Sequence, residues 1–490
     1  MMSNHDEDSA GLAASPASIE EVTAYRVHIS SQYLDLTKRK LETVRTPREF
    51  SEPELNDWWP STGEVDPLID FWVEQYRWRE QEAVMNDLPQ FRTGFIMPQI
   101  TPAIRIQFLH ARSPHPDAVP LLLIPPFPFP SLLMGHLIQL FTEPEDPAND
   151  QPFHLVIPSL PGSGFSDPLP TDTAVISSTA FLLDALMQRL NYPFYLASNA
   201  GCGASSPAQI DFKIAEWLST QYPHSCLGTH FISPIFPRPQ LKKSPLGWAK
   251  WTLAKSFRVP ISGYCAEDFE AYERHSQATT PQILSSTPHV GVDELALAPN
   301  TLAHALCDSP LALLVFVLRL LRLMAPDREF TPMEIIHFTQ VGWFKGPEFA
   351  VRFWGYCLQF REKVPKKANS RPRVGMTVFL GEDEDRSQVK SRGGSSGTRD
   401  RPASRGQVPY TCPSWARAEY DVLYTQRLSG KPGFLAWDRP EIIAAGARGV
   451  AAVVLKADIR LRPSPAPTPS PTAVTGGGAS PPSRAGGQND

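Results

Sequence analysis

Short apolar runs with the spacing of β-strands recur along this chain, and they constrain its fold more than any other feature. Helical patterns lie between several of them, and in two of these patterns the apolar residues fall on one face. Strands that alternate with helices predict an α/β protein with a mostly parallel, doubly wound sheet. Such a sheet binds its ligands at the carboxyl ends of its strands. The strand-like runs are 104–110, 119–124, 153–157, 194–197, 228–233, 374–380 and 422–426, and the helical patterns are 178–190 and 210–221.

The strand rhythm stops between 234 and 367, where helical patterns predict an inserted cap. Polar or low-complexity composition predicts disorder in three other segments, including a basic, Gly/Ser-rich insertion. The predicted order is a disordered N-terminus 1–21, an N-terminal segment 22–118, the first half of the core 119–233, the helical cap 234–367, the second half of the core 368–460 with the disordered insertion 386–408, and a low-complexity tail 461–490.

Two further helices are predicted. The apolar residues of 69–79 fall at helical spacing, and the segment 86–89 ends that pattern. The longest apolar run, 310–324, is shorter than a membrane span, and Arg319 and Arg322 interrupt it. We therefore expect a buried or lid helix there rather than a membrane anchor.

Composition excludes several classes of function. The net charge is only -5 and the basic residues read as scattered, so no nucleic-acid surface is predicted. The six cysteines lie far apart without a CxxC pair, which predicts reduced thiols and neither a disulfide framework nor a metal site. The polar, acidic N-terminus lacks the pattern of a signal peptide. We expect a cytoplasmic protein with no metal, no cofactor and no membrane span, and its oligomeric state stays open.

Several motifs together point to one family. The sharpest is SLPGSGFS at 159–166, directly after a predicted strand; WREQE stands upstream at 78–82 and GFLAWDRPE downstream at 433–441. With IRIQFLHARS and SCLGTHFISP, these stretches resemble the microsomal-type epoxide hydrolase family over about residues 23–441. The resemblance implies the α/β-hydrolase fold with a helical cap and an N-terminal wrapping segment of epoxide-hydrolase type.

The same resemblance implies a two-step reaction of detoxification type. An aspartate opens the epoxide and forms an ester, and a His–acid pair then activates the water that hydrolyses it to a vicinal diol. Two cap tyrosines donate hydrogen bonds to the epoxide oxygen, and two backbone N–H groups form an oxyanion hole.

The stretch YLASNAGCGASS at 195–206 has the pattern of the strand-to-helix turn that presents the nucleophile. On the family's motif the aspartate position falls on Gly201, which has no side chain for covalent attack. A shifted register puts Cys202 at the apex, where it is either a nucleophile or a packing residue in place of a tryptophan. Asn199 is a weaker third candidate, because a neutral amide is a poor nucleophile.

The positions of the family's histidine base and of its acid partner can also be placed on this sequence. The family's histidine position falls on Gly433, and the last histidine of the chain is His337, far upstream of that region. Glu382 falls on the position of the acid that orients the histidine. Without a histidine to orient, Glu382 is either a retained site residue or part of a solvated acidic loop.

The predicted oxyanion loop reads IPPFPFPS, so prolines replace the family's glycines. The backbone N–H groups of Phe127 and Cys202 are the candidate donors. Phe127 and Phe129 make the loop strongly apolar and are expected to line a substrate site.

In the cap, Tyr272 lies near the first tyrosine position, while Trp354 occupies the second and Tyr356 lies nearby. Trp354 and Tyr356 predict an aromatic ceiling over an apolar pocket. Three functions stay open: a degenerate member that binds a hydrophobic small molecule, an active epoxide hydrolase, and a hydrolase that depends on Cys202.

Overall fold

Several residues and segments named in the sequence predictions lie outside the part of the chain that the structure describes. Cys202, Glu382 and the insertion 386–408 lie outside the described residues, as do most of 1–21 and 461–490. The computed structural model describes residues 19–48, 60–97, 100–170, 173–201, 206–258, 260, 263–277, 298–360, 362–365, 371–381 and 410–462.

Nine strands of the described residues form one sheet in the order β1-β2-β3-β5-β4-β6-β7-β8-β9. The strands from β5 to β9 in this order pair in parallel, whereas β1, β2, β3 and β5 pair antiparallel at the other edge. The predicted mostly parallel sheet is therefore confirmed. The strands are β1 Thr23–Ala24, β2 Gln90–Met97, β3 Ile100–Ala111, β4 Val119–Ile124, β5 Phe153–Pro158, β6 Tyr195–Asn199, β7 Cys226–Ile232, β8 Arg373–Phe379 and β9 Asp421–Leu428.

Helices cover both faces of this sheet. His230 in β7 faces the last long helix, where it meets Gly446, while its neighbour Phe231 meets Phe212 of the helix after β6. Adjacent strand residues point to opposite faces, so these two helices lie on opposite sides. The helices are α1 Ser31–Glu42, α2 Thr62–Glu74, α3 Trp78–Asn86, α4 Ile138–Thr142, α5 Val175–Arg189, α6 Ile210–Gln221, α7 Pro245–Phe257, α8 Ala266–Gln277, α9 Pro299–Asp308, α10 Pro310–Met324, α11 Pro332–Lys345, α12 Glu348–Gln359, α13 Pro413–Ala416, α14 Leu435–Asp438 and α15 Pro440–Ala457.

The prediction of one helix over 69–79 is wrong, because two helices, α2 and α3, meet there. Arg77 adopts an extended conformation and separates them. The second helix is held by Glu82, whose carboxylate accepts hydrogen bonds from the Ile29 backbone N–H at 2.7 Å and the Trp78 indole at 3.1 Å. The segment that ends α3 leads into β2, a strand that the sequence patterns did not reveal.

The region between β7 and β8 contains the helices α7 to α12. The apolar run 310–324 forms α10, and most of its apolar side chains are buried. Along the described residues, no helix combines the length and apolar character needed to cross a bilayer. A buried bidentate ion pair ties α8 to β9: Asp268 accepts from the Arg427 guanidinium at 2.8 and 3.0 Å.

Small residues let α15 approach the sheet closely. A Cβ atom added at Gly446 would stand 2.1 Å from the His230 ring, and one added at Gly375 would stand 2.3 Å from Val450. Neither position has room for a methyl group unless the sheet and helix separate. This close approach explains why glycine stands inside both a helix and a strand.

The packing predicts different effects for two helical glycines. Gly446→Ala should lower the free energy of unfolding by about 1–3 kcal/mol, because the added methyl group overpacks the interface with β7. Gly342→Ala is the matched control, since a Cβ atom there meets nothing closer than 4.0 Å. Alanine should raise helix stability at that position by up to ~1 kcal/mol. Urea unfolding of both variants tests this, and equal effects would contradict the packing account.

Candidate active site

Two loops meet at the carboxyl edge of the sheet, where a ligand site is expected. β4 and β6 are parallel neighbours, with Ile124 opposite Asn199, and the Ala200 N–H donates to the Ile124 carbonyl at 2.9 Å. The proline-rich loop after β4 and the start of the segment after β6 therefore lie side by side. Asn199 also accepts a hydrogen bond from the Ile232 N–H at 2.9 Å, which connects the end of β7 to the same place.

A carboxyl group fills the space beside Gly201. A Cβ atom added at this glycine would stand 2.0 Å from Oδ2 of Asp211 and 2.6 Å from its Cγ. Contacts this short do not occur, so any side chain at position 201 would displace the Asp211 carboxyl. The sequence showed that Gly201 carries no nucleophile, and the structure adds that the space for one is occupied.

Asp211 lies in the first turn of α6, and its side chain is fully buried. The Asn199 amide donates to Oδ2 of Asp211 at 2.8 Å. Burial raises the pKa of the Asp211 carboxyl, and the hydrogen bond from Asn199 opposes that shift. Asn199 is thus a positioning residue for Asp211.

Asp211 is not among the site residues predicted from the sequence, although one signal was present. The acidic residue stands in a predicted helix between the buried residues Ile210 and Phe212. A carboxyl at the start of an otherwise apolar stretch of helix has to find a polar partner when it is buried. That partner, Asn199, lies in a different element.

The connection between β6 and α6 is longer than a sharp strand-to-helix turn. β6 ends at Asn199 and α6 begins at Ile210, with a short 3-10 turn at Pro207–Gln209 just before the helix. Ala208 and Gln209 adopt left-handed conformations with φ of 45° and 54°. Non-glycine residues rarely adopt such angles, so this connection carries local backbone strain. Cys202 lies in the part of this connection outside the described residues, so its two possible roles remain predictions.

The proline-rich loop is held in place by the SLPGSGFS motif. The Ser163 hydroxyl donates to the Pro128 carbonyl at 2.8 Å, and the Phe127–Pro128 peptide bond is cis. Gly164 has φ of +52°, and a Cβ atom there would stand 2.5 Å from Pro130. The glycine therefore permits both the turn and the close approach of the two loops.

The side chains of the loop enter an aromatic assembly. The Phe127 ring lies 5.6 Å from Phe353 and 6.4 Å from Trp354, both on α12. The Phe129 ring lies 4.8 Å from Phe338 on α11 and 5.6 Å from Phe434. The structure thus brings Phe127, Phe129 and Trp354 of the predicted site together, and all three are buried.

Comparisons with known proteins agree on the family. The model of the epoxide hydrolase N terminus matches residues 22–133. An epoxide hydrolase homologue of Stigmatella aurantiaca (strain DW4/3-1) is 30% identical over 296 residues, which is 59% of this chain and 57% of that protein. Juvenile hormone epoxide hydrolase 1 of Ctenocephalides felis is 24% identical over 61% of this chain and 59% of its own length. The chain therefore matches less than two thirds of the length of these relatives.

Solved structures give the fold. The epoxide hydrolase of Aspergillus niger superimposes with a TM-score of 0.63 at 20% identity, over 90% of this chain and 98% of that one. The juvenile hormone epoxide hydrolase of the silkworm Bombyx mori gives 0.64 at 17% identity, over 89% and 96%. This chain is therefore similar to epoxide hydrolases in sequence and in fold. The predicted α/β-hydrolase fold is confirmed.

The surroundings of Gly433, the position of the family's histidine, differ from those of Gly201, the position of its nucleophile. Gly433 has φ of +63°, and the nearest atom to an added Cβ is Oδ2 of Asp438 at 3.6 Å, an ordinary contact. Asp438 is paired with the Arg328 guanidinium, which also binds Glu334 at 2.6 Å. In this epoxide hydrolase relative, an ion-pair network stands beside the base position, and there is room for a side chain at Gly433.

Several described histidines make hydrogen bonds elsewhere. His337, in the cap, lies 3.0 Å from the Tyr76 hydroxyl, and burial lowers its pKa to about 4. His136 approaches the turn after Gly433, but its Nε2 already donates to the Ala436 carbonyl at 2.7 Å. His230 is buried between the hydroxyls of Ser198 and Thr377, at 3.0 and 2.9 Å. Glu382 is outside the described residues, so its role as the acid remains a prediction.

The two tyrosines of the predicted cap site lie outside the aromatic assembly around Phe127. Tyr272 belongs to a second apolar cluster, where its ring stands 5.3 Å from Trp251 and 5.9 Å from Trp415. Tyr356 is half-buried and packs on Phe360 at 4.8 Å. Among the described residues, the hydroxyl pair implied by the family does not come together over the sheet edge.

The contact between Gly201 and Asp211 predicts strong coupling between these positions. Gly201→Ala should lower the free energy of unfolding by about 1–3 kcal/mol, because the methyl group meets the buried carboxyl. In an Asp211→Ala background the same change should have little further effect, because the obstructing carboxyl is gone. A double-mutant cycle from urea unfolding measures the coupling. Additive effects would show that the two side-chain positions do not share one space.

A pH dependence follows from the raised pKa of Asp211. The folded state holds this proton more tightly than the unfolded state, so the stability contributed by protonation is present below the ordinary pKa of 3.8 and is lost as pH rises through the higher folded value. Asp211→Asn should therefore become more stable relative to the wild type as the pH rises. Urea unfolding between pH 4 and 8 measures that difference, with the exposed Asp70→Asn as a control. A difference that stays constant with pH would contradict the prediction.

Proposed function

We propose that this member of the epoxide hydrolase family binds a hydrophobic small molecule at the sheet edge and does not hydrolyse epoxides through an ester at position 201. The contact between Gly201 and the buried Asp211 carboxyl carries this proposal. This contact is stronger support than the glycine alone, because the Asp211 carboxyl fills the space that a nucleophilic side chain at position 201 would need. In this proposal the carboxyl of Asp211 does not replace the nucleophile, since it is fully buried and is held by the hydrogen bond from the Asn199 amide.

The surroundings of the site favour an apolar ligand. Loop residues Phe127 and Phe129 meet cap residues Phe338 and Trp354, and Phe434 stands beside the former base position. Phe434 and Trp437 stack at 4.0 Å with nearly parallel rings. A cluster of aromatic side chains with few polar groups suits a flat or branched apolar ligand better than a polar one. The ligand class is therefore a hydrophobic molecule with aromatic character.

The decisive measurement is turnover of styrene oxide and trans-stilbene oxide by the purified full-length protein. We expect no diol above the uncatalysed rate, and we expect saturable binding of stilbene oxide by calorimetry. Diol formation that survives Cys202→Ala and is lost in Asp211→Asn would establish an active epoxide hydrolase with a displaced carboxylate and overturn the proposal. Activity on esters that is lost in Cys202→Ala would instead establish the cysteine-dependent hydrolase.

The aromatic assembly predicts where the ligand binds. Phe129→Leu keeps the site apolar and nearly preserves volume, but it removes the ring that joins the loop to Phe338 and Phe434. We expect stilbene oxide to bind about tenfold more weakly, consistent with the loss of one or more ring contacts of ~1 kcal/mol each. Phe181→Leu is the control, since that ring is 41% exposed on α5. Equal affinities for both variants and the wild type would place the ligand elsewhere.

A further inference from the structure

Helix α7 in the cap has two apolar faces, and within the described residues only one of them is buried. Trp251 and Ala254 are its buried residues. The Trp251 ring packs on Tyr264 and Trp415, at 5.4 and 5.2 Å, and so fixes the helix to the rest of the molecule. This single contact face accounts for the position of the helix but not for its remaining apolar residues.

The second apolar face is open to solvent. Leu246, Leu253 and Phe257 are 78%, 53% and 70% exposed. Their spacing of seven and four residues places them on one side of the helix, and Lys250 falls on the same stripe. Large side chains this exposed and aligned on one helix form a contiguous patch, which on a protein surface marks an interaction site.

The same stretch is strongly basic. Residues 238–258 contain six lysines and arginines and no acidic residue, although the whole chain has a net charge of -5. Within the described part of the chain, only Arg258 of these six forms an ion pair, with Glu273 at 3.0 Å. Basic residues are therefore concentrated here, which corrects the expectation that they are scattered. We name the exposed side chains of 238–258 the α7 surface.

A cleft of about 420 Å³ opens on the α7 surface. Two cations and three aromatic rings contribute to its lining. The Lys255 ammonium lies 4.7 Å from the centroid of the Tyr272 ring, and Arg238 reaches the Tyr272 hydroxyl at 3.5 Å. Trp248 and Trp251 complete the aromatic part. Because neither cation has a carboxylate partner among the described residues, the cleft is suited to an anionic group such as a phosphate.

We propose that the α7 surface docks this protein onto anionic phospholipid membranes. A helix with an exposed apolar stripe and surrounding lysines lies in the plane of the interface, with its apolar side chains among the acyl chains. Lys250 within the stripe can extend its ammonium back to the phosphates, and Trp248 suits the headgroup level. Charge complementarity selects an anionic surface, and the cleft accepts a lipid headgroup beside the helix. The docking is peripheral and involves no membrane span.

Vesicle flotation of the full-length protein tests this docking. We expect binding to vesicles of phosphatidylcholine with phosphatidylserine, weak binding to phosphatidylcholine alone, and loss of binding as salt rises. A triple variant that makes the stripe polar should bind at least tenfold more weakly. The control changes equally exposed apolar residues elsewhere and should bind normally. The test variant is Leu246→Ser, Leu253→Ser and Phe257→Ser, and the control is Val84→Ser, Ile96→Ser and Ile459→Ser.

The charge requirement is tested separately. Lys250→Gln with Lys255→Gln should weaken binding to anionic vesicles by about fivefold per lysine, as expected for basic residues at a charged membrane. Lys38→Gln with Lys456→Gln keeps the net charge of the protein equal to that of the test variant and should bind as the wild type does. Tryptophan emission, to which Trp248 contributes together with ten other tryptophans, should shift to the blue on vesicles only when the α7 surface is intact.

Three results would overturn the proposal. Binding that is equal on neutral and anionic vesicles would remove the charge argument. Unchanged flotation of the triple variant would place the contact elsewhere. Sedimentation that shows the wild type as a dimer and the triple variant as a monomer, with no vesicle binding by either, would identify the stripe as an interface between two copies.

Discussion

The buried hydrogen bond from Asn199 to Asp211 is the interaction on which the sheet edge depends. The amide nitrogen of Asn199 donates to the Asp211 carboxyl of α6, and the amide oxygen accepts a hydrogen bond from the Ile232 N–H at the end of β7. A single side chain thus joins β6, β7 and α6, and none of its polar atoms could be lost without leaving a buried group unsatisfied. Gly201 follows from this arrangement, because only a residue without a side chain leaves the carboxyl its space.

The chemistry at the edge is divided between an apolar interior and charges at its border. Aromatic rings from the proline-rich loop, the cap and the last turn occupy the interior around Phe129. Beside Gly433, the Arg328 guanidinium pairs with the carboxylates of both Glu334 and Asp438. An ester mechanism needs the reverse, with an ionised carboxylate and a titrating base inside the site. The proposed function therefore keeps the fold of an epoxide hydrolase around a site whose described residues do not suit that reaction.

The sequence predicted the parts of this structure that depend on local pattern. The central strands and helices α5 and α6 followed from their apolar patterns, and α10 followed from the longest apolar run. The break at Arg77 and strand β2 did not follow from periodicity, since they depend on tertiary contacts: the hydrogen bonds of Glu82 hold α3, and pairing with β3 holds β2. At the site, the sequence showed that Gly201 and Gly433 lack catalytic side chains, but it did not show the role of Asp211. Asp211 becomes important only when β6 and α6 pack together, because its carboxyl then fills the space that a side chain at Gly201 would need.

The α7 surface and the sheet edge are connected through one apolar cluster. Trp251 of α7 packs in the same cluster as Val378 and Leu380, which stand at the carboxyl end of β8. The helix that carries the exposed apolar stripe is therefore seated on the edge of the sheet where ligands bind in this fold. A hydrophobic ligand partitions into the bilayer, so its concentration is highest where such a helix would dock. The two proposals reinforce each other physically, because membrane docking would place the protein where a ligand of the apolar site accumulates.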